Sequence, residues 1–196
     1  IALGGNAIRR HNEKGTAAEQ IANVRRASRQ IAEIAADGYA VAVTHGNGPQ
    51  VGDILVRNEL TKDTLPAMPL DVCGAESQGM IGYFLQQAMQ EALRVAGLDR
   101  PVATVLTQTV VDGSDPAFER PEKPIGPFYT AEQAERLRKE KGWRMVQIPG
   151  RGCRRVVPSP RPIALVEGEV ILRLFSAGVI VIAAGGGGVP VIAGDG

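Results

Sequence analysis

Three glycine-rich segments carry the residue types that best fit a chemical role. They are Gly4-Gly5-Asn6, Gly46-Asn47-Gly48 and Gly185-Gly186-Gly187-Gly188, and each follows an apolar run. Glycine lacks a Cβ, so backbone N–H groups in such a loop can approach an anion closely, and a helix that begins there adds partial positive charge. One such loop is commonly an ordinary tight turn. Three of them at the ends of strands predict a phosphate-binding site.

The two common nucleotide-binding motifs are absent. A P-loop needs Gly-Lys-Ser or Gly-Lys-Thr at the start of a helix, and the chain has neither tripeptide. A dinucleotide fingerprint needs a third glycine three residues after the second, whereas Gly46 and Gly48 are followed by Gly52, one residue too far. Neither fold is therefore supported.

A lysine in a stiff segment is the candidate for neutralising phosphate charge. Lys123 lies between Pro121 and Pro124, and prolines restrict the backbone beside them. A cation held over a phosphate would stabilise the charge during phosphoryl transfer. A solvated surface lysine is the commoner outcome, and it stays open on the pattern alone. Arg151, Arg154 and Arg155 could also clamp a phosphate, although a run of charge is more often a solvated surface.

Neither a metal site nor a nucleophile is predicted. The histidines, His11 and His45, are too few and too far apart for metal ligation. Ser77 has no partner base in the sequence, so we reject a serine nucleophile.

Alternating apolar runs and helical periods must position these groups. Capping boxes at Thr16 and at Thr130 each predict the start of a helix, and Gly38 and Gly142 predict their ends. Strands are predicted over 1–3, 39–44, 102–111 and 179–184, and further helices over 50–60, 71–97 and 166–177. A break in the helix over 71–97 is expected near Gly79 or Gly82. Alternating strands and helices predict an α/β sandwich with a mainly parallel sheet, which binds ligands at the carboxyl ends of its strands.

Composition limits the function classes. The 196 residues carry a net charge of +1 with 4% aromatics, which gives no reason to expect nucleic-acid binding. The segment 119–155 holds ten Lys or Arg against five Asp or Glu, which leaves a basic RNA-binding role as an alternative. It is a weak one, since the segment has few aromatic residues on which bases could stack. No apolar run is long enough to span a membrane. Two cysteines favour a reducing cytoplasm over a disulfide framework, and both ends of the chain look cut.

Several strings along the chain together resemble carbamate kinases, of the amino-acid kinase superfamily. The matching segments lie at residues 2–7, 44–52, 69–75, 77–83, 123–129, 155–160 and 184–190. The 123–129 string, Lys-Pro-Ile-Gly-Pro-Phe-Tyr, favours this family over acetylglutamate or uridylate kinases.

The resemblance implies a fold and a reaction. The fold is a three-layer αβα sandwich that forms a homodimer, with a core of 1–111 and 163–196 and a protruding, lid-like subdomain over 112–162. The reaction is reversible phosphoryl transfer between ATP, bound with Mg²⁺, and carbamate, which gives ADP and carbamoyl phosphate. Such kinases often run toward ATP in arginine metabolism, by the deiminase pathway.

The resemblance also assigns residues. Gly4, Gly5, Asn6, Gly46, Asn47 and Gly48 would bind carbamate and the transferring phosphate, and Gly185, Gly186, Gly187 and Gly188 would form a loop on the nucleotide side. Lys123 would be the catalytic lysine that the subdomain lowers onto the phosphate. The family continues beyond the third loop with a nucleotide pocket and a second catalytic lysine. We therefore expect this chain to be the N-terminal two thirds of such a kinase, and the alternative is a non-catalytic module that binds carbamoyl phosphate or another anion.

Overall fold

The computed structural model describes residues 1–10 and 12–193 of the chain. The first half contains, in order, β1 (Ala2–Leu3), α1 (Gly5–Ile8), α2 (Ala17–Ala36), β2 (Ala42–His45), α3 (Gly48–Thr61), α4 (Leu70–Val95), β3 (Val102–Thr104) and β4 (Gln108–Val111). The second half contains β5 (Lys123–Tyr129), α5 (Ala131–Lys141), β6 (Met145–Ile148), β7 (Gly152–Val157), β8 (Pro162–Leu165), α6 (Gly168–Ser176), β9 (Ile180–Ile182) and β10 (Val189–Ile192). None of the described helices has both the length and the apolar composition needed to cross a membrane.

A parallel four-stranded sheet organises the core. Its strand order is β1-β2-β9-β3, and the register pairs Leu3 with His45, Val43 with Ile182 and Thr104 with Ile182. Because all four strands run the same way, their carboxyl ends lie at one edge. That edge receives the three glycine loops, which follow β1, β2 and β9.

Helices cover both faces of this sheet, as predicted. On one face α2 and α4 bury the main apolar cluster, in which Val24, Ile81, Leu85, Ile180 and Ile182 are fully or almost fully buried. Val181 alternates to the other face and is also fully buried, where α6 packs against β9. The protein is therefore a three-layer α/β structure.

Local signals set two of the helix boundaries. Thr16 and Glu19 form the predicted reciprocal capping box at the start of α2, and Thr130 and Gln133 form the second at the start of α5. Gly142 adopts the left-handed conformation, φ 63°, that ends α5. The structure confirms these predictions. The boundaries could be predicted because each depends only on residues within one turn of the end of its helix.

The predicted break in the helix over 71–97 is wrong. Helix α4 runs without interruption from Leu70 to Val95. Gly79 faces open space, and Gly82 serves packing, since a Cβ built there would lie 2.3 Å from Thr104 Cγ2. The glycine lets β3 approach the helix and does not bend it.

The single strand predicted over 102–111 is two strands in different sheets. Residues 105–107 connect the two sheets: the Val105 N–H donates to the carbonyl of Ile182 at 2.8 Å, and the Thr107 carbonyl accepts from the Val189 N–H at 2.9 Å. The buried Gln78 side chain fixes this connection, because it accepts from the Thr107 N–H at 2.9 Å and donates to the Thr107 carbonyl at 3.0 Å. Beyond this turn β4 joins a second sheet of order β10-β4-β8.

The strand predicted over 39–44 begins later, at Ala42. Its neighbours pair with it only from Ala42 onward. The carbonyl of Tyr39 instead accepts a hydrogen bond of 2.8 Å from Arg100 Nη1, and the Tyr39 side chain is exposed.

A third sheet, antiparallel and of order β5-β7-β6, is built from residues 123–157 together with α5. This unit lies inside the segment predicted to be an inserted subdomain. The boundaries 112 and 162 stay predictions, and residues 194–196 of the predicted core lie outside the described residues. Lys141 of α5 forms an ion pair with Glu59 of α3 at 2.6 Å, which ties the unit to the core.

Candidate phosphate-binding site

The first two glycine loops lie against each other. Gly46 donates its N–H to the carbonyl of Leu3 at 2.9 Å. A Cβ built at Gly46 would lie 3.2 Å from the Gly5 nitrogen, and one built at Gly5 would lie 3.5 Å from Pro49 Cδ. The two loops therefore form one surface.

The third glycine loop packs on the second. A Cβ at Gly185 would lie 2.6 Å from the imidazole of His45. At Gly186, where φ is +66°, a Cβ would lie 2.3 Å from the Asn47 side-chain nitrogen. Only glycine fits this close approach at a positive φ. The structure thus brings all three predicted loops together at one edge of the sheet.

Hydroxyl groups from β2, from β4 and from the connection between β3 and β4 fix the third loop. Thr44 donates to the carbonyl of Ala184 at 3.0 Å, while the Ala184 N–H donates to Thr107 Oγ1 at 2.8 Å. Thr109 donates to the carbonyl of Gly187 at 2.6 Å. These bonds hold Ala184 in the left-handed region at φ 51°, where a non-glycine residue carries strain.

Sequence reasoning missed Thr107 and Thr109 as supports of the site. Both are buried polar residues, at 0% and 3% exposure. Thr107, Gln108 and Thr109 form a polar run inside the predicted apolar strand. That run was a usable signal, since buried hydroxyls need partners.

Backbone donors supply the positive potential of the loop surface. Gly5 and Gly48 are the first residues of α1 and α3, so their N–H groups have no acceptor inside the helix. Burial lowers the pKa of His45, so the imidazole is neutral at pH 7. A positive side-chain charge for an anion must therefore come from elsewhere in the protein.

A buried serine orients the Asn47 side chain. Asn47 Nδ2 donates to Ser77 Oγ at 2.8 Å, and Ser77 Oγ donates to the carbonyl of Gly74 at 2.6 Å. Ser77 is fully buried on α4. Its bond from Asn47 links the second loop to that helix, while its bond to Gly74 lies within α4 and fixes the direction of the hydroxyl. It acts here as a positioning residue for the loop.

We expect Ser77→Ala to lower the free energy of unfolding by about 1–2 kcal/mol, because the amide of Asn47 loses its buried acceptor. Ser28→Ala is the matched control: Ser28 is equally buried, but its hydroxyl has no hydrogen-bond partner among the described residues. That control should be neutral or stabilising. Urea unfolding of both variants measures the difference, and equal losses would contradict the role given to Ser77.

Lys123 begins β5, which packs along α3. A Cβ built at Gly52, in the second turn of α3, would lie 3.9 Å from the Cα of Gly126. Toward the other end of β5, burial raises the pKa of Tyr129, and the Glu59 carboxylate near the end of α3 raises it further. The strand therefore leads back from Tyr129 to Lys123 toward the loop end of α3.

The Lys123 side chain is exposed. In the described part of the chain it forms no hydrogen bond or ion pair, and no observed contact joins it to the glycine loops. The Asn6 side chain and His11 lie outside the described residues. Among the described residues, no three His, Cys, Asp or Glu side chains come together in a way that could hold a metal ion.

Comparison with known proteins places this geometry in a family. Residues 1–195 match the model of the amino acid kinase family. The chain is 56% identical over 198 residues to a carbamate kinase of Pyrococcus furiosus, across 100% of this chain and 63% of that protein. It is 47% identical to a carbamate kinase of Clostridium perfringens, across 98% of this chain and 62% of that protein.

Solved structures of carbamate kinases have the same fold as this chain. A carbamate kinase from Giardia lamblia bound to AMP-PNP superposes with a TM-score of 0.92 at 44% identity, over 100% of this chain and 62% of that one. The chain thus spans about three fifths of the length of these relatives. The family match covers nearly every residue, including all three glycine loops, and on that basis the chain belongs to the amino acid kinase family.

Proposed function

We propose that this chain provides the carbamate- and phosphate-binding part of a carbamate kinase, which transfers a phosphoryl group between ATP and carbamate. The observation that carries the proposal is the convergence of three glycine loops at one sheet edge. The names of the relatives, which are 47–56% identical, supply the substrate class.

The chemistry fits the residues at the site. Carbamate is an anion whose oxygen can attack the γ-phosphorus directly, while the bond from that phosphorus to the ADP oxygen breaks. No general base is required, so catalysis depends on holding two anions in line and offsetting their charge. We assign the holding of the anions to the N–H groups of Gly5 and Gly48, and the offsetting of their charge to Lys123. The loop Gly185–Gly188 would face the nucleotide.

Finer points of the proposal concern cofactor, assembly and location. Mg²⁺ would arrive on the phosphates of the nucleotide, as is usual for this ion. We further propose that the protein forms a homodimer in the cytoplasm and has no nucleic-acid or membrane partner. Its reaction would belong to arginine metabolism, by the deiminase route. The two cysteines, Cys73 and Cys153, are free and buried, which supports a reducing compartment.

The direct test is ATP formation from ADP, Mg²⁺ and carbamoyl phosphate, with the intact mass of the polypeptide measured in the same sample. ATP formation supports the proposal. Binding of carbamoyl phosphate without ATP formation by a polypeptide of 20.7 kDa favours the second candidate, an anion-binding module. Absence of both activities contradicts the site assignment.

Gly48→Val tests the loop itself. No described atom lies within 4 Å of a Cβ at Gly48, so the fold should tolerate the side chain, while the valine fills the space that an anion needs. We expect affinity for carbamoyl phosphate to fall at least tenfold, with Tm unchanged. Gly79→Val, at an equally open position on α4, is the control. Equal affinities in calorimetric titrations of the two variants would exclude Gly48 from the site.

A further inference from the structure

Two arginines share one aromatic ring on the subdomain sheet. The guanidinium carbon of Arg151 lies 4.5 Å from the centroid of Phe128, and that of Arg154 lies 5.2 Å from it. Phe128 belongs to β5, Arg154 to β7, and Arg151 to the turn that precedes β7. Cation–π attraction to one ring fixes both charges in the same small region.

Hydrogen bonding leaves much of this pair free. Arg154 donates from Nε and Nη2 to the carbonyl of Gly126 at 3.1 and 2.8 Å, which locks its orientation. Its Nη1 group donates to no acceptor among the described residues. Arg151 is exposed, and its guanidinium donates to no acceptor in residues 1–10 and 12–193. A guanidinium carries five N–H donors in a planar fork, so unused donors of both side chains remain for a ligand.

No carboxylate of the described residues forms an ion pair with either arginine. Among the described ion pairs neither Arg151 nor Arg154 takes part, whereas the cations of α5 are matched with glutamates: Arg136 with Glu140, Arg138 and Lys139 with Glu135, and Lys141 with Glu59. Burial lowers the pKa of Arg154, and the charge of Arg151 lowers it further. Within the described part of the chain, two like charges are therefore held side by side without a counter-charge, a state that a bound anion would relieve.

We propose that Arg151 and Arg154, held on Phe128, form a binding site for a phosphate group. Planar guanidinium forks match the oxygens of phosphate and bind it with charge-assisted hydrogen bonds. The carbonyl that fixes Arg154 belongs to Gly126, which packs on Gly52 of α3, so the site lies on the part of the subdomain that meets the core. This inference goes beyond the proposed function and does not depend on it, since the glycine loops contribute nothing to it.

Titration of the chain with inorganic phosphate, followed by calorimetry, tests the site. The variant is Arg151→Gln, because Arg154 also holds the backbone of β5 and its loss would disturb the strand. The control is Arg136→Gln, which makes the same charge change on α5, where the side chain is 67% exposed. Each is introduced into the Gly48→Val background, so that phosphate binding at the glycine loops is suppressed.

We expect the Gly48→Val protein to retain a phosphate site that Arg136→Gln leaves intact and Arg151→Gln weakens at least tenfold, with equal Tm values. Equal phosphate affinity of the two arginine variants would overturn the proposal. The same titration with carbamoyl phosphate identifies the source of the phosphate group: competition with inorganic phosphate indicates that a phosphorylated substrate uses the site, and no competition indicates free phosphate. Loss of binding in Arg151→Gln would support the site even if the protein formed no ATP.

Discussion

Replacing Lys123 by alanine is expected to lower the rate of the proposed phosphoryl transfer by at least about 100-fold, the range seen when one preorganised group that stabilises transition-state charge is removed. The free energy of unfolding should stay the same, because the side chain is exposed and forms no hydrogen bond or ion pair with the described residues. Carbamoyl-phosphate-dependent ATP formation and urea unfolding, measured on the same preparation, give the two numbers.

The direction of β5 is the structural basis for this expectation. Gly126 lies beside Gly52, and the strand leads from there toward the loop end of α3. The imidazole of His45 is neutral at pH 7 because burial lowers its pKa, so it cannot replace a lost ammonium group.

Lys139→Ala is the matched control for Lys123→Ala. Lys139 is an exposed lysine of the same subdomain, 3.6 Å from Glu135 on α5. It should keep full activity, since an exposed ion pair of this kind contributes little. Equal rates for the two variants would remove Lys123 from the mechanism. If Lys123→Ala lowered the free energy of unfolding along with the rate, the role of Lys123 would be structural.

Features set by neighbouring residues were predictable from the sequence. The capping boxes at Thr16 and Thr130 needed only residues three positions apart. The meeting of the glycine loops was predictable as well, because parallel strands end at one edge of a sheet. That rule holds for any parallel sheet, so the meeting of the loops could be predicted without knowing which residues of the loops touch.

Contacts between distant residues were not predictable in the same way. Gln78 bonds both backbone groups of Thr107, 29 residues away, at the point where the predicted strand divides into β3 and β4. Ser77 reaches Asn47 across 30 residues. The sequence shows such side chains only as polar residues in a helix, and their burial and partners depend on how α4 lies across the sheet.

Gly82 shows how a local signal can mislead. Its residue type predicted a break in α4, whereas in the structure it provides space for Thr104. Gly82→Ala is expected to destabilise the protein by about 2 kcal/mol, within the range for overpacking a tight core contact. A Cβ there would lie 2.3 Å from Thr104 Cγ2 and 3.0 Å from Thr104 Oγ1. Thr104 cannot turn away freely, because its hydroxyl donates to the carbonyl of Gly82 and its N–H donates to Gln86.

Gly79→Ala gives the opposite sign on the same helix. Gly79 is exposed, and no atom of the described residues lies within 4 Å of its Cβ position, so alanine should stabilise α4 by up to about 1 kcal/mol through helix propensity. Urea unfolding should therefore separate the two variants by about 3 kcal/mol. If both variants stabilised the protein, the contact between α4 and β3 would be looser than described. If both destabilised it, the two glycines would be needed for a bend in α4, as the sequence alone had suggested.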